Sequence, residues 1–213
     1  LDMKYLSEVS LESKKFADYK RFNPKIYEEV LGLARPLKGK RMVHLNATPK
    51  GGGVAERLRS RVALEKDLGI LSSWLVLANL PGEFFKVTKK IHNLLQGQKG
   101  SLTKKEQTIY LSWNKEIGGE LNRYLEKERA DLLTIHDPQP LASISSLPYL
   151  RMGQTVPVLR LHIDLSAPNP ETLKFLKEFI KSYRLVILSR SDYRPPWLAK
   201  GKVKIIYPTI DPL

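Results

Sequence analysis

Short apolar segments alternate with longer amphipathic segments along most of this chain, and this order limits the fold more than any other feature. The apolar segments predict strands at residues 41–46, 70–78, 131–135, 157–161, 185–189 and 203–207. The amphipathic segments predict helices at residues 54–68, 83–95, 103–129 and 169–181, with a short helix from Leu141. Because strands and helices alternate, we expect an α/β domain with a parallel sheet and helices on both of its faces.

The N-terminal residues differ from the rest and predict a helical extension ahead of this domain. An amphipathic pattern over residues 24–33 follows Asn23, a favourable helix cap, and Pro24 suits the first position of the helix. A proline and a glycine then interrupt the pattern. We therefore divide the chain into an extension at residues 1–39 and a domain at residues 40–213.

The composition fits one cytoplasmic domain with a sizeable core. Of 213 residues, 42% are hydrophobic and none is cysteine, which excludes disulfides and thiolate metal ligands. No run of about 18 apolar residues predicts a membrane span, and the N-terminal residues lack the apolar core of a secretion signal. We therefore expect a cytoplasmic protein that does not contact a membrane.

The formal net charge of +14 raises the question of a nucleic-acid partner. The basic residues are spread along the chain, and neither an RNA-recognition motif nor a helix-turn-helix pattern accompanies them. We interpret most of them as solvated surface residues. Nucleic-acid binding is therefore the weakest of the functions considered.

A glycine-rich turn follows the first predicted strand of the domain. Asn46 ends this strand, and Gly51, Gly52 and Gly53 come directly before the next helix. Consecutive glycines let the backbone approach a ligand, and a helix N-terminus directs free N–H groups toward oxygen or phosphate. The turn matches neither the phosphate-binding loop of NTPases nor the dinucleotide-binding motif. A flexible turn without a ligand is the alternative interpretation.

A second polar cluster, His136, Asp137 and Gln139, follows the predicted strand at residues 131–135. Two prolines restrict its loop and fix the directions of these side chains, which suit hydrogen bonds to sugar hydroxyls. Ligands of open parallel sheets bind where the strands end at their carboxyl edge, so we expect this cluster beside the glycine turn. The alternative is a capping Asp and a packed His.

A third polar cluster, Arg160, His162 and Asp164, begins within the predicted strand at residues 157–161. Alternation along a strand predicts that the three side chains point to the same side. A guanidinium, an imidazole and a carboxylate together are costly in a core and useful in a site. A structural ion pair with a neighbour is the alternative.

The remaining histidines, His44 and His92, fall before a strand end and within a helix, and we interpret both as packing or surface residues. No spacing of His, Asp or Glu in the sequence matches a metal site. We therefore expect neither a metal nor a cofactor.

Taken in order, these clusters resemble a known family. The segments VHLNATPKGGGVAE, TIHDPQP and RLHIDLSAPN, together with PGEFFKVTKKIHNLLQG and IIYPTIDPL, resemble the N-terminal domain of glycosyltransferring trehalose synthases and retaining trehalose phosphorylases. These enzymes belong to glycosyltransferase family 4, and the resemblance extends from Tyr5 to Leu213. It implies a Rossmann-like domain that forms the acceptor-side half of a two-domain GT-B enzyme.

The resemblance also implies an activity: transfer of glucose from a nucleoside diphosphate glucose to glucose, with retention at the anomeric carbon and without a metal or a protein nucleophile. It implies that the catalytic residues are Arg160, His162 and Asp164. It implies that the acceptor-binding residues are Asn46, His136, Asp137 and Gln139. The donor phosphates would lie above Gly51, Gly52 and Gly53. The donor-binding half of the family is absent from this sequence, so we expect the nucleotide-sugar to bind only with a partner domain and the chain alone to be inactive.

Two other functions stay open. One is a non-catalytic module that binds a sugar or regulates a full-length relative, and the other is a nucleic-acid-binding domain that uses the basic charge. We also expect an exposed apolar patch at residues 195–198, through which the chain self-associates into a homo-oligomer. The donor nucleotide, and the choice between synthase and phosphorylase, stay open as well.

Overall fold

The structure, a computed structural model, describes residues 3–209 and 211, and of Arg151 and Met152 only the backbone. The residues of the predicted 1–39 and 40–213 segments that lie outside the described ones are Leu1, Asp2, Ile210, Pro212 and Leu213. The strands of the described part are β1 (Leu6–Glu8), β2 (Arg41–Asn46), β3 (Leu71–Leu77), β4 (Leu132–His136), β5 (Val156–Arg160), β6 (Leu185–Leu188) and β7 (Val203–Ile205).

These strands form one sheet in the order β1-β3-β2-β4-β5-β6-β7. All neighbouring strands run parallel except β1, which pairs antiparallel with β3. The register places Leu45, Ile135 and Leu159 in one row across the three central strands, and all three are fully buried. The register also brings the carboxyl ends of β2, β4 and β5 to the same edge of the sheet, where the three polar clusters begin.

The helices of the described part are α1 (Pro24–Ala34), α2 (Gly53–Asp67), α3 (Gly82–Leu95), α4 (Lys104–Glu128) and α5 (Pro170–Ser182). Their bounds agree with the predicted ones within a few residues because the sequence supplies caps. Asn23 and Asn169 each accept a backbone N–H at a helix N-terminus, and Thr103 forms a capping box with Glu106. None of the described helices is long and apolar enough to cross a membrane.

Helices cover both faces of the sheet, as predicted. On one face α3, α4 and α5 bury a large core, in which Phe84, Leu121 and Leu176 pack with the inward residues of the central strands. On the other face α2 packs against β3 through a smaller cluster that includes Leu58 and Trp74. The predicted α/β class with a Rossmann-like parallel sheet is confirmed.

The N-terminal segment is helical only in part. It contains α1, but β1 adds a strand to the edge of the sheet, where Leu6 lies opposite Leu77 and is 1% exposed. A strand of three residues carries too little alternation to be read from the sequence. Its conformation is fixed instead by hydrogen bonds to the free edge of β3, which is a tertiary effect.

The apolar patch predicted at residues 195–198 is largely covered, and of its four residues Pro196 alone is exposed. Pro195 and Leu198 are buried, and Trp197 is half-buried against the core with the Lys177 ammonium 5.7 Å from its ring centre. The segment therefore serves the packing of this domain. Self-association stays a prediction without this surface to support it.

Candidate functional site

A polar cleft of about 370 Å³ lies at the carboxyl edge of the sheet, beside the N-terminus of α2. Residues from all three predicted clusters line it, namely Asn46, Gly51, Gly52, Gly53, His136, Asp137, Gln139, His162 and Asp164. Arg57 and His92 line it as well. The structure therefore brings together loops that are far apart in the sequence, with Arg160 as the exception described below.

The glycine turn has a backbone that only glycine adopts readily. Gly51 and Gly52 have φ angles of 76° and 81°, and no atom lies within 4 Å of a Cβ built on either of them or on Gly53. The turn is thus open toward the cleft and leads directly into α2. Asn46 braces it from below, since its amide donates to the carbonyl of Thr48 at 2.9 Å and accepts from the Trp74 indole at 2.7 Å.

Asp137 is held in a strained and buried position at the bottom of the cleft. Its φ of 64° lies in the left-handed region, and its carboxylate accepts the backbone N–H of His162 at 2.7 Å. Burial raises the pKa of Asp137 to about 6, although that N–H and the charges of Arg57 and Arg160 act in the opposite direction. The carboxyl group is therefore close to titration at neutral pH.

Helix α4 fixes the loop that carries Asp137 and Gln139. The buried Tyr110 hydroxyl donates to the carbonyl of Pro138 at 2.7 Å, and the amide of Asn114 donates to the carbonyl of Gln139 at 3.1 Å. These bonds engage the backbone of Gln139 and leave its half-buried side chain at the cleft wall. The loop is thus pre-organised by the core.

The expectation that Arg160, His162 and Asp164 share one side of a strand is wrong for Arg160. Strand β5 ends at Arg160, so alternation does not continue to the other two residues. The Arg160 guanidinium donates to the carbonyls of Leu188 and Ile206, and it does not line the cleft. Burial and the nearby arginines lower the pKa of Arg160 to about 10.

His162 and Asp164 do reach the cleft, from the loop after β5. His162 is half-buried, whereas Asp164 is exposed and accepts the backbone N–H of Ser166 at 2.7 Å. That N–H lowers the pKa of Asp164. At the cleft wall the two side chains thus present an imidazole and a carboxylate.

Three histidines form a hydrogen-bonded row from the core to the cleft, here named the histidine chain: His44, His136 and His162. His44 Nδ1 lies 3.2 Å from His136 Nε2, and His136 Nδ1 lies 2.9 Å from His162 Nε2. His44 Nε2 lies 3.1 Å from the Glu65 carboxylate, and His162 Nδ1 lies 3.0 Å from the Arg57 guanidinium. No pattern in the sequence predicted this arrangement.

Our interpretation of the other two histidines needs correction. His44 is fully buried, as a packing residue would be, but it also takes part in the histidine chain. His92, on α3, lines the cleft. The signal for His44 was its place on a strand that neighbours the strand of His136, but which strands are neighbours cannot be read from the sequence.

Burial favours the neutral form of two members of the histidine chain, His136 and His162. It lowers the pKa of His162 to about 3, with Arg57 and Arg160 acting in the same direction. It also lowers the pKa of His136 well below the usual value. In the described part of the chain, no group of three or more His, Asp or Glu side chains is arranged to hold a metal ion. Metal independence of a reaction stays a prediction.

The fold and the cleft define the class of this protein. It is an α/β domain that gathers polar side chains and a glycine turn at the carboxyl edge of a parallel sheet, where such domains bind small ligands. The chain belongs to the trehalose synthase family. A family profile described as "Trehalose synthase, N-terminal domain" matches residues 44–195, which include the three polar clusters.

Curated trehalose synthases are similar over nearly the whole chain. The protein of Pyrococcus horikoshii is 38% identical over 210 residues, which cover 98% of this chain and 48% of the relative. The proteins of Thermococcus litoralis and Rubrobacter xylanophilus are 39% and 36% identical, over 95% and 98% of this chain and 47% and 49% of the relatives. The chain thus spans about half the length of these relatives. The predicted family is confirmed, and the roles of individual site residues stay predictions.

Proposed function

We propose that this chain is the acceptor-side half of a retaining glycosyltransferase of the trehalose synthase type. In this proposal the whole enzyme transfers glucose from a nucleoside diphosphate glucose to a second glucose. The observation that carries it is the convergence of the glycine turn and the loops after β4 and β5 in one polar cleft, in a member of this family. The cleft has the volume of small-ligand sites, which is about 300–1,000 Å³.

The cleft offers the hydrogen-bonding groups that an acceptor sugar requires. A sugar hydroxyl both donates and accepts, and the Asp137 carboxylate and the Gln139 amide supply partners of both kinds. Asn46 keeps one amide hydrogen beyond its two internal bonds. The ring nitrogens of His136 are both engaged within the histidine chain, so we assign it an action through His162 rather than direct contact.

The same geometry supports a place for the donor phosphates above the glycine turn. The N-terminus of α2 carries a partial positive charge, and the open backbone of the turn lets phosphate oxygens approach it. His162 and Asp164 would line the space between the phosphates and the acceptor. The domain contributes orientation and charge stabilisation, which need no protein nucleophile. Arg160, outside the cleft, would hold β5 against β6.

The remaining contacts with the donor are assigned to a second domain. The relatives are about twice as long as this chain, which leaves the corresponding half to bind the nucleotide and the transferred glucose. These 213 residues by themselves then have few contacts that strengthen in the transition state. We accordingly propose that they bind glucose but have negligible turnover. A cytoplasmic location is part of the proposal.

Titration of the ¹⁵N-labelled chain with glucose tests the acceptor site. We expect saturable shifts of backbone amide signals in the glycine turn and in the loops of Asp137 and His162. Asp137→Ala should weaken glucose binding by about 10-fold or more, because it removes a charged hydrogen-bond acceptor. Asp18→Ala, at an exposed position on the segment before α1, is the matched control and should bind like the wild type.

The outcome also separates the alternatives. Shifts at other surfaces, or equal binding by Asp137→Ala and the control, would refute the acceptor site. If the chain bound nucleoside diphosphate glucose as tightly as glucose, this would argue against the proposal that a second domain provides most of the donor site. The non-catalytic sugar-binding module shares the predicted glucose binding, and it is distinguished by a lack of activity when a donor-binding half is supplied.

A further inference from the structure

Arg57 and Glu65 are the two ends of a continuous hydrogen-bonded path. Both residues lie on α2, roughly 12 Å apart along the helix axis. The histidine chain runs between them, from the Arg57 guanidinium at the cleft to the Glu65 carboxylate. Glu65 is mostly buried, with 12% of its side chain exposed, and lies outside the cleft.

The two ends fix the direction of every hydrogen bond between them. A guanidinium only donates, so His162 must accept through Nδ1 and donate through Nε2. His136 and His44 must then follow the same pattern, each with its hydrogen on Nε2. Glu65 matches this direction, because His44 donates to it and an ionised carboxylate only accepts hydrogen bonds. Although burial opposes ionisation, the hydrogen bond from His44 and the charge and hydrogen bond of Arg61 hold the pKa of Glu65 below its usual value.

A further proton has no place in this path. Besides the Arg57 contact, the path has three contacts, and three neutral rings supply one hydrogen to each of them. An added proton would place two N–H groups against each other at one contact. Both ends favour the same direction, and after loss of the Glu65 carboxylate only the Arg57 contact still favours it. Glu65 therefore strengthens the preference that keeps His162 Nδ1 an acceptor.

Because His162 Nδ1 accepts a hydrogen bond from Arg57, it holds the Arg57 guanidinium at the cleft. Arg57 is half-buried, its Nε–H donates to the carbonyl of Gly53 at 3.0 Å, and its other hydrogen bond goes to His162. The guanidinium keeps N–H groups beyond these two bonds, and Arg57 lines the cleft beside the glycine turn. A fixed guanidinium next to a helix N-terminus is complementary to a phosphate group.

We propose that Arg57 is a phosphate-binding residue of the cleft and that the histidine chain, anchored by Glu65, positions its guanidinium there. Arg57 would contact the diphosphate of the donor, while Glu65, His44 and His136 act only through His162. The inference rests on the proposed function for the identity of this anion. It adds to that function a residue outside the three polar clusters and a remote carboxylate that controls it.

Binding of inorganic pyrophosphate tests the first part, with NMR shifts of the glycine-turn amides as the readout. Arg57→Gln should weaken binding by about 10-fold or more, because a charged hydrogen bond is lost. Lys66→Gln removes the same charge from an exposed position on the same helix and should change affinity by less than about 3-fold at 0.15 M salt. Equal effects of the two variants, or no shifts at the turn, would overturn the assignment.

Glu65→Met tests the second part, because the change in charge alone predicts tighter pyrophosphate binding, whereas the role of Glu65 in the histidine chain predicts weaker binding. The variant adds one unit of positive charge near the cleft, which by itself favours pyrophosphate. It also removes the acceptor of His44 and leaves the Ser72 hydroxyl, which donates to the same carboxylate at 2.7 Å, free to donate to His44 instead. Where Ser72 donates to His44, the path reverses, an N–H of His162 turns toward Arg57, and the Arg57–His162 hydrogen bond is lost. We expect affinity to fall about 3-fold or more; unchanged or tighter binding would refute the role of Glu65.

The ring nitrogens provide a readout that a merely structural role would not move. Long-range ¹H–¹⁵N spectra should show His44, His136 and His162 of the wild type as neutral Nε2–H tautomers at pH 7, and Glu65→Met should change the tautomer of His162. A protonated Nδ1 on His162 in the wild type would contradict the inference. These spectra need no ligand, so this result is independent of the glucose titration that tests the proposed function.

Discussion

Asp137 shows how one buried carboxyl group couples the site to stability. The residue is 8% exposed, and its folded pKa of about 6 lies above the ordinary value of 3.8. A group with a raised folded pKa contributes stability that is complete below the unfolded pKa and is lost as pH rises through the folded pKa. Asp137 therefore weakens the fold as pH rises from about 4 to above 6.

Asp137→Asn should remove this dependence. Between pH 4 and pH 8 the wild type should lose on the order of 2 kcal/mol of unfolding free energy relative to the variant, because one pKa unit corresponds to about 1.4 kcal/mol. Urea unfolding at several pH values measures the difference. Asp18→Asn, at an exposed site, should follow the wild type at every pH. Parallel pH profiles for Asp137→Asn and the wild type would show that the carboxyl is not destabilised.

At the residue scale the sequence identified the polar clusters but not their partners. Asp137 and His162 follow predicted strands, and that position alone placed them at the correct edge of the sheet. His44 lies inside a strand and meets His136 only because β2 and β4 are neighbours. Arg160 was assigned by strand alternation, which failed because β5 ends there. Local periodicity thus predicts where a residue lies within or after a strand, but it does not predict which residues of neighbouring strands are in contact.

Helix α4 is held against the loop that forms the cleft through a close approach at one glycine. A Cβ built on Gly118 would lie 2.6 Å from the Ser143 carbonyl oxygen and 2.7 Å from Ser146 Cβ. Both atoms belong to the 3-10 helix Leu141–Ser146, which directly follows the loop of Asp137 and Gln139. The neighbouring Gly119 has nothing within 4 Å of its Cβ position.

The two glycines of α4 should therefore respond oppositely to alanine. Gly118→Ala should destabilise the protein by about 1–3 kcal/mol, because overpacking forces α4 away from the 3-10 helix. Gly119→Ala should stabilise it by about 0.5–1 kcal/mol, since alanine is the better helix former and meets no neighbour. Urea unfolding of both variants checks the signs. Stabilisation by both would show that the helices do not approach as closely as described.

At the element scale the sequence predicted helices and long strands well, because their periodicity and caps are local. Thr103 and Asn169 marked helix starts that the structure confirms. In contrast, Gly118 and Gly119 are indistinguishable in the sequence, although only one of them is required for packing. Strand β1 was missed for the same reason, since its conformation depends on the edge of β3.

At the scale of the whole molecule, the cleft is one wall of the site that we propose. Strands β2, β4 and β5 end at this cleft. About half of the residues that line it lie between the end of β2 and the first turns of α2. The fold class could be predicted because each central strand is buried on both faces and therefore reads as an apolar run. The sequence of these residues does not indicate a second domain facing the cleft. That part of the proposal comes from the greater length of the relatives.

Activity measurements on these 213 residues test that division directly. With a nucleoside diphosphate glucose and glucose, we expect trehalose formation below detection. Rate acceleration requires contacts that strengthen in the transition state, and in the proposed function this chain would contact the donor on one side only. The same preparation must show saturable glucose binding, so that a misfolded sample cannot give the result. Trehalose formation that saturates with both substrates, and that Asp137→Ala abolishes, would instead show that the acceptor-side domain is a sufficient catalyst.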